Sequence, residues 1–320
     1  MDYVVLISGG GGFIGKNLIK YLLKHNLATK IIVIDNFITS DPDYFYDLFN
    51  NNDNITCFDF DITDNKLISF IKERFNVINE IYHLASLASP IAYKKYPLKT
   101  LDTGYIGTKY MLELALHYNA KFLLASTSEI YGDAQVSPQT ENYYGNVNSF
   151  GERACYDESK RVAEALVYTY QRTRGIDARI ARIFNTYGPC MDINDGRIIT
   201  EIIKHTLNDT ELTIFGDGSQ TRSICYVDDT VSMLVKLMMS DYQYPINVGN
   251  DNEMSVNEIV RITIEQLKAS PKIVYKPLTQ NDPLMRRPCL KLNQLILKNT
   301  NYTLIEDGIK KTISFFVKNT

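Results

Sequence analysis

Short apolar runs rich in β-branched residues alternate with apolar positions recurring at helical spacing through the first half of this chain. The strand-like runs fall at 3–8, 31–35, 55–59, 78–84, 122–126 and 178–184. The helical patterns fall at 13–25, 64–75, 98–118 and about 153–174. Such alternation predicts an α/β fold, a doubly wound parallel sheet with helices on both faces. From Tyr187 the pattern changes. Gly188-Pro189 interrupts the alternation, residues 192–196 read as loop, and a helical stretch at 197–207 follows. An apolar run at 212–215 precedes the turn Gly216-Asp217-Gly218, and 229–239, 255–267 and 306–318 read as helices. The expected division is 1–186 for the sheet domain and 187–320 for a smaller mixed α/β substrate-binding region. Segments of the second part, such as 224–250, are expected to pack back on the first. No Pro/Gly/Ser-rich linker separates them, which predicts one body with a cleft along the C-terminal strand edge, where doubly wound sheets bind ligands.

The glycines locate that cleft. Tyr3-Val4-Val5-Leu6-Ile7 runs into Ser8-Gly9-Gly10-Gly11-Gly12-Phe13-Ile14-Gly15, and Leu18, Ile19 and Leu22 continue at helical spacing. Gly9, Gly12 and Gly15 form G-x-x-G-x-x-G between a strand and a helix. Residues without Cβ let backbone N–H groups and a helix N-terminus approach a pyrophosphate. The second apolar run ends at Asp35, twenty residues after Gly15. A carboxylate there accepts the ribose hydroxyls of an adenosine and repels a 2′-phosphate, so the Rossmann-type site is expected to prefer NAD to NADP.

Composition narrows the setting. The chain has 320 residues, 45% hydrophobic and 22% charged, enough for a substantial core. A net charge of −3 offers no basic footprint for nucleic acid or an anionic membrane surface. Cys57, Cys155, Cys190, Cys225 and Cys289 are odd in number and lack C-x-x-C spacing. Neither a disulfide framework nor a metal site is expected, and a reducing compartment fits. No apolar run approaches membrane-spanning length, and the first strand begins at Tyr3. The expectation is a soluble, cytoplasmic protein.

Further polar residues gather at strand ends. Asp61-Ile62 follows the third run, where the aspartate suits an adenine amino group or a helix N-cap. Leu84-Ala85-Ser86 ends the fourth run with small residues suited to close backbone passage. Ala125-Ser126-Thr127-Ser128-Glu129 ends the fifth with hydroxyls for a substrate alcohol and a carboxylate that can move a proton. Tyr156-Asp157-Glu158-Ser159-Lys160 gives Y-x-x-x-K, which sets both functional groups on one helical face. Tyrosine titrates near pH 10 when free, and a nearby ammonium would lower that value.

The glycine turn, the Thr127 segment and Tyr156/Lys160 together resemble the extended short-chain dehydrogenase/reductases that act on nucleotide sugars. The blocks Leu124–Asp133, Gly151–Glu164, Arg182–Pro189, Asn194–Arg197 and Gly218–Arg222 are similar to those of the UDP-glucuronate decarboxylases, and the likeness covers nearly the whole chain. This resemblance implies a carboxy-lyase converting UDP-glucuronate to UDP-xylose and CO2 with bound NAD. Tyr156 would take the C4 hydroxyl proton, Lys160 would lower its pKa and hold the nicotinamide ribose, and Thr127 would orient the hydroxyl. Oxidation at C4 makes the C6 carboxylate β to a ketone, so CO2 can leave, and the hydride then returns. Glu129 and Arg286 would assist at C5 and C6. Phe13, Ile14, Asn36, Ile62, Leu84, Ser86, Thr103, Ala125 and Thr186 would line the NAD, while Asn185 and Arg222 would face the UDP end. Arg197 matches a residue linked to the cofactor region. Ser128 stands where related 4,6-dehydratases carry an aspartate acid, which removes a charge that would repel the carboxylate. A dehydratase, a 4-epimerase and a non-catalytic NAD-binding regulator are the alternatives.

The chain also departs from the family pattern. Gly104 and Tyr105 replace Asn and Thr, Ser8 replaces Thr, Leu87 replaces Pro, Cys190 replaces Arg, and Arg287 replaces Lys beside Arg286. The resemblance implies a homodimer built on the helices at 98–118 and 156–174, with Met111, Leu112, Leu116, Val167 and Tyr170 as candidate apolar contacts.

Overall fold

The computed structural model describes residues 2–50, 52–277 and 286–319. Six strands, β1 (Val4–Ser8), β2 (Lys30–Asp35), β3 (Ile55–Asp59), β4 (Glu80–His83), β5 (Lys121–Thr127) and β6 (Ala178–Ile183), join with Pro245–Val248 in one sheet. Its order is β3-β2-β1-β4-β5-β6 followed by Pro245–Val248, and every pairing is parallel. The order reverses between β1 and β4, so a crevice opens at their carboxyl ends.

Alternation along β1 explains the layering. Val5 and Ile7 face one apolar cluster with Leu18, Ile19, Leu22, Val33, Val231 and Leu234. Val4 and Leu6 face another with Ile32, Ile34, Leu112, Ala115, Ala163 and Val167. Both faces are therefore buried, as a parallel sheet requires.

The helices Phe13–Lys24, Ala154–Arg174, Ile198–Leu207, Val227–Met239, Val256–Leu267 and Ile305–Asn319 follow the sequence pattern within two residues. The predicted helix at 98–118 is interrupted. Pro97–Asp102 and Thr108–Tyr118 are α-helical, and Thr103–Gly107 between them forms a π-helical turn. Gly104 lies in that turn, where a Cβ would stand 2.6 Å from both Cβ and O of Ser159. The helix predicted at 64–75 is shorter, Leu67–Lys72. Among the described residues three α-helices have no counterpart in the pattern: Pro42–Phe49, Pro90–Lys95 and Lys291–Leu297. Asp41 starts the first of these by accepting the N–H groups of Asp43 and Tyr44.

Beyond β6 the chain forms two-stranded ladders. Thr186–Tyr187 pairs with Cys225–Tyr226, Thr221–Ser223 with Glu253–Ser255, and Leu212–Phe215 with Ile273–Lys276. The five cysteines are free thiols. Among the described residues no helix is long and apolar enough to cross a membrane. Met111, Leu112 and Val167 are fully buried within the chain and Tyr170 is nearly so, so these are core residues rather than dimer contacts. Leu98, Leu101, Tyr105 and Tyr168 are the apolar side chains that the same helices expose.

Candidate active site

The carboxyl edge of the sheet opens into a cleft of about 1110 Å³, and every site residue singled out from the sequence lines it. They arrive from separate strand ends: Gly9 after β1, Asp35 at the end of β2, Asp61 after β3, Leu84 and Ser86 after β4, Thr127 at the end of β5, and Asn185 after β6.

Gly9 has φ +76°, and a Cβ there would lie 2.6 Å from the Ala85 backbone nitrogen. The glycine turn and the loop after β4 therefore meet backbone to backbone. Gly12 caps Phe13–Lys24 with no side-chain bond, and no acidic residue occupies its first turn. Its free N–H groups and the positive end of the helix dipole suit an anion. Asp35 accepts the N–H of Gly11 at 2.9 Å and of Phe37 at 2.8 Å. Burial raises its pKa, and those two N–H groups oppose the rise. Asp61 does not cap the following helix. Its carboxylate accepts Thr63 N–H and hydroxyl at 2.8 and 2.7 Å, Asn36 Nδ2 at 3.0 Å, and the Lys99 ammonium. Burial works against the charge, but Lys99 and Thr63 hold its pKa below the usual value. Thr103 turns its hydroxyl to the Lys99 carbonyl at 2.7 Å. A cradle that side chains would fill, an uncapped helix start and a carboxylate at the end of β2 fit a dinucleotide.

Thr127 ends β5, and its Oγ1 accepts the Glu129 N–H at 3.3 Å. Tyr156 and Lys160 lie one turn apart on Ala154–Arg174, both buried. Burial raises the phenol pKa, while the Thr127 hydroxyl and the Arg197 charge pull it back. The spacing predicted Lys160 in that role. Instead Lys160 Nζ donates to the Ala125 carbonyl at 2.8 Å. Burial lowers the Lys160 pKa to about 8, with Glu164 opposing. Lys160 and Tyr156 thus share a helical face, but the ammonium donates its hydrogen bond to the β5 carbonyl. Arg197 is itself held by Asp195, with Nε 3.0 Å from Oδ2.

Glu129 carries the densest charge contacts. Arg286 grips it in a bidentate pair, Nη1 to Oε1 at 2.6 Å and Nη2 to Oε2 at 2.7 Å, and also reaches Ser128 Oγ at 3.3 Å. Arg153 bonds the same carboxylate. Arg287 lies elsewhere: its N–H donates to Gln139 Oε1 at 2.9 Å. Of these two neighbours, Arg286 lines the cleft and Arg287 does not. Asp157 completes the group, with Oδ2 3.8 Å from Arg153 Nε. Burial raises its pKa, against the charges of Arg153 and Arg286.

Toward the outer wall, the Asn185 carbonyl accepts the Cys225 N–H at 2.8 Å, which ties the end of β6 to the second region. Thr186 bonds the Phe184 carbonyl at 3.0 Å and the Thr230 hydroxyl at 3.1 Å. Arg222 donates to the Thr221 carbonyl at 2.8 Å. Behind the site, Ser8 Oγ, His83 and Thr108 Oγ1 form a buried chain at 2.7 and 3.0 Å. Burial and the Lys160 charge push the His83 pKa to about 3, so its ring is neutral.

Sequence reading assigned no role to Tyr93, Lys16, Arg153 or Asp157. Tyr93 stacks on Tyr156 from the short helix Pro90–Lys95, whose six residues are too few to show a period. Arg153 and Asp157 fall inside the Gly151–Glu164 block, and their charges next to Tyr156 were the available signal.

Residues 6–285 match the GDP-mannose 4,6 dehydratase family. The chain is 40% identical over 314 residues to UDP-glucuronic acid decarboxylase 1 of Xenopus tropicalis, spanning 98% of this chain and 72% of that protein. It is 45% identical to UDP-glucuronic acid decarboxylase 5 of Arabidopsis thaliana, spanning 89% and 80%. The structure is similar to that of a UDP-glucose 4-epimerase from Thermotoga maritima with UDP-glucose, with a TM-score of 0.89, 25% identity and 99% of both chains covered. An all-parallel sheet with its glycine turn, a Tyr156/Lys160 helix beside Thr127, and this identity along nearly the whole length lead to one assignment: the chain belongs to the UDP-glucuronic acid decarboxylase family of the extended short-chain dehydrogenase/reductases.

Proposed function

We propose that this protein decarboxylates UDP-glucuronate to UDP-xylose through a 4-keto sugar, with NAD recycled within each turnover. The observation that carries the reading is the Ser128-Glu129 pair at the end of β5, with Arg286 clasping Glu129 beside Thr127 and Tyr156. A guanidinium fork matches a carboxylate in geometry and charge, and serine at 128 adds no negative charge near a sugar C6 carboxylate.

Gly9, Gly12, Phe13, Ile14, Gly15 and Asp35 would hold the dinucleotide, with Asn36, Asp61, Ile62, Leu84, Ser86, Thr103, Ala125 and Thr186 along its length. When bound, NAD supplies the redox chemistry, accepting a hydride from C4 and returning it after CO2 has left. Tyr156 accepts the C4 hydroxyl proton and Thr127 fixes that hydroxyl's orientation. With C4 a ketone, the electrons of the C5–C6 bond pass into the carbonyl as CO2 departs. Tyr156, now protonated, donates a hydrogen bond to the enolate oxygen. One proton is then added at C5, so the sum is UDP-glucuronate plus a proton giving UDP-xylose plus CO2. Asn185 and Arg222 support the nucleotide end, while Arg197 would act by the cofactor, where its charge reaches Tyr156. The exposed Leu98, Leu101, Tyr105 and Tyr168 support a homodimer through the helices that carry them, which sedimentation of the purified protein tests.

The deciding experiment incubates the protein separately with UDP-glucuronate and UDP-glucose, following CO2 and the sugar by NMR. UDP-xylose and CO2 from the first substrate alone are expected. A 4-keto-6-deoxy sugar from UDP-glucose would establish a dehydratase instead, and inactivity on both with NAD bound would establish a regulator.

A further inference from the structure

Lys16 is a buried cation in the wall of the cleft. It lies one turn into Phe13–Lys24 and is 5% exposed. Among the described residues its ammonium makes no hydrogen bond or ion pair, and it rests 4.9 Å from the centre of the Tyr44 ring. Burial lowers its pKa. Cys190, Asp35 and Asp41 counter that from three other segments, and Lys20 on the same helix adds to it.

Those neighbours are already engaged. Asp35 accepts two backbone N–H groups, and Asp41 Oδ1 accepts those of Asp43 and Tyr44 at 2.9 and 3.4 Å. The Cys190 thiol takes Lys20 Nζ at 3.3 Å. An ammonium has three donors, and one withdrawn from water without a charged partner is costly. Side chains on a helix lean toward its N-terminus. Lys16 follows the Gly12 turn by one helical turn, and both it and the uncapped N–H groups of that turn line the same cleft.

We propose that Lys16 is a phosphate ligand, its ammonium pairing with a pyrophosphate oxygen of the dinucleotide held at the Gly9–Gly15 turn. The proposal rests on the dinucleotide reading of this cleft and adds a point charge to a site so far built from backbone and dipole. Asp35 and Asp41 on the ribose side disfavour a 2′-phosphate as the occupant.

Calorimetric titration of wild type, Lys16→Met and Lys16→Arg with NAD, ADP, adenosine and NADP tests it, with thermal unfolding of each ligand-free protein as the folding control. Methionine removes the charge and keeps an unbranched side chain of similar length. Lys16→Met is expected to unfold no earlier than wild type and to bind NAD and ADP about ten- to hundredfold more weakly, the range of a charge-assisted bond. Adenosine affinity is expected to stay the same, and Lys16→Arg to recover most of the loss. Unchanged NAD and ADP affinity, or an equal loss for adenosine, overturns the proposal. A loss confined to NADP overturns it in favour of a 2′-phosphate site. Wild type that binds neither NAD nor ADP overturns the dinucleotide reading itself.

Discussion

The ring of Tyr93 lies flat on that of Tyr156, with centroids 5.2 Å apart and planes 10° from parallel. Tyr93 comes from the helix after β4 and Tyr156 from Ala154–Arg174, so the stack joins two walls of the cleft. An aromatic pair is worth about 0.5–1.5 kcal/mol beyond its buried area. Tyr93→Leu is therefore expected to lower turnover of UDP-glucuronate up to about tenfold, with Tyr93→Phe near wild type and NAD affinity unchanged in both. Tyr156→Phe sets the reference: it should keep NAD and lose nearly all turnover. Steady-state kinetics beside NAD titration separates these outcomes.

Lys160 makes stability depend on pH in a defined direction. Its folded pKa is about 8 because burial disfavours the charge, against a free value near 10.5. Between those values the unfolded chain holds a proton that the folded chain has released. The destabilising contribution is fully present below pH 8 and fades as pH climbs toward 10.5, so unfolding free energy gains from this group with rising pH. The difference in unfolding free energy between wild type and Lys160→Met, from denaturant titrations, should move in favour of wild type by about 3 kcal/mol across that window.

Glu129 pairs with two guanidiniums at once. Removing one partner of a buried pair costs about 3–5 kcal/mol, less where water reaches, and Glu129 is 18% exposed at its side chain. Glu129→Gln is expected to lose about 2–3 kcal/mol of unfolding free energy. The Glu129 charge would then no longer compete with a ligand carboxylate for Arg286. UDP-glucuronate should raise the melting temperature of this variant more than UDP-glucose does, which thermal unfolding with each sugar nucleotide checks.

Gly104 offers a test of helix packing. A Cβ there meets the backbone of Ser159, the residue before Lys160. Overpacking of this kind costs about 1–3 kcal/mol, and Gly104→Ala is expected to fall in that range by chemical denaturation. Ser159→Gly in the same chain should recover part of the loss, since it removes one of the three close atoms.

The strand-helix rotation of the first half was legible because parallel strands are apolar on both faces and the helices Phe13–Lys24, Thr108–Tyr118 and Ala154–Arg174 exceed ten residues. Gly9, Asp35, Thr127, Tyr156 and Lys160 could be placed because each sits at a strand end or on a long helix. Two kinds of feature escaped. Pro42–Phe49 and Pro90–Lys95 are too short to display a period, which hid Tyr44 and Tyr93. Long-range partners such as Arg153 for Glu129, Arg197 for Tyr156 and the Ala125 carbonyl for Lys160 depend on tertiary folding, which spacing along the chain does not encode. Gly104 was visible as an odd residue, but its reason lay in the neighbouring helix.

The strand Pro245–Val248 has a consequence for how the chain comes off the ribosome. It seals the flank of β6, yet it emerges more than sixty residues later. Until then β6 presents unpaired N–H and C=O groups, the kind of ribbon that recruits strands from other molecules. Nascent chains stalled between residues 190 and 240 should therefore clump and attract chaperones, whereas chains released past 250 should not.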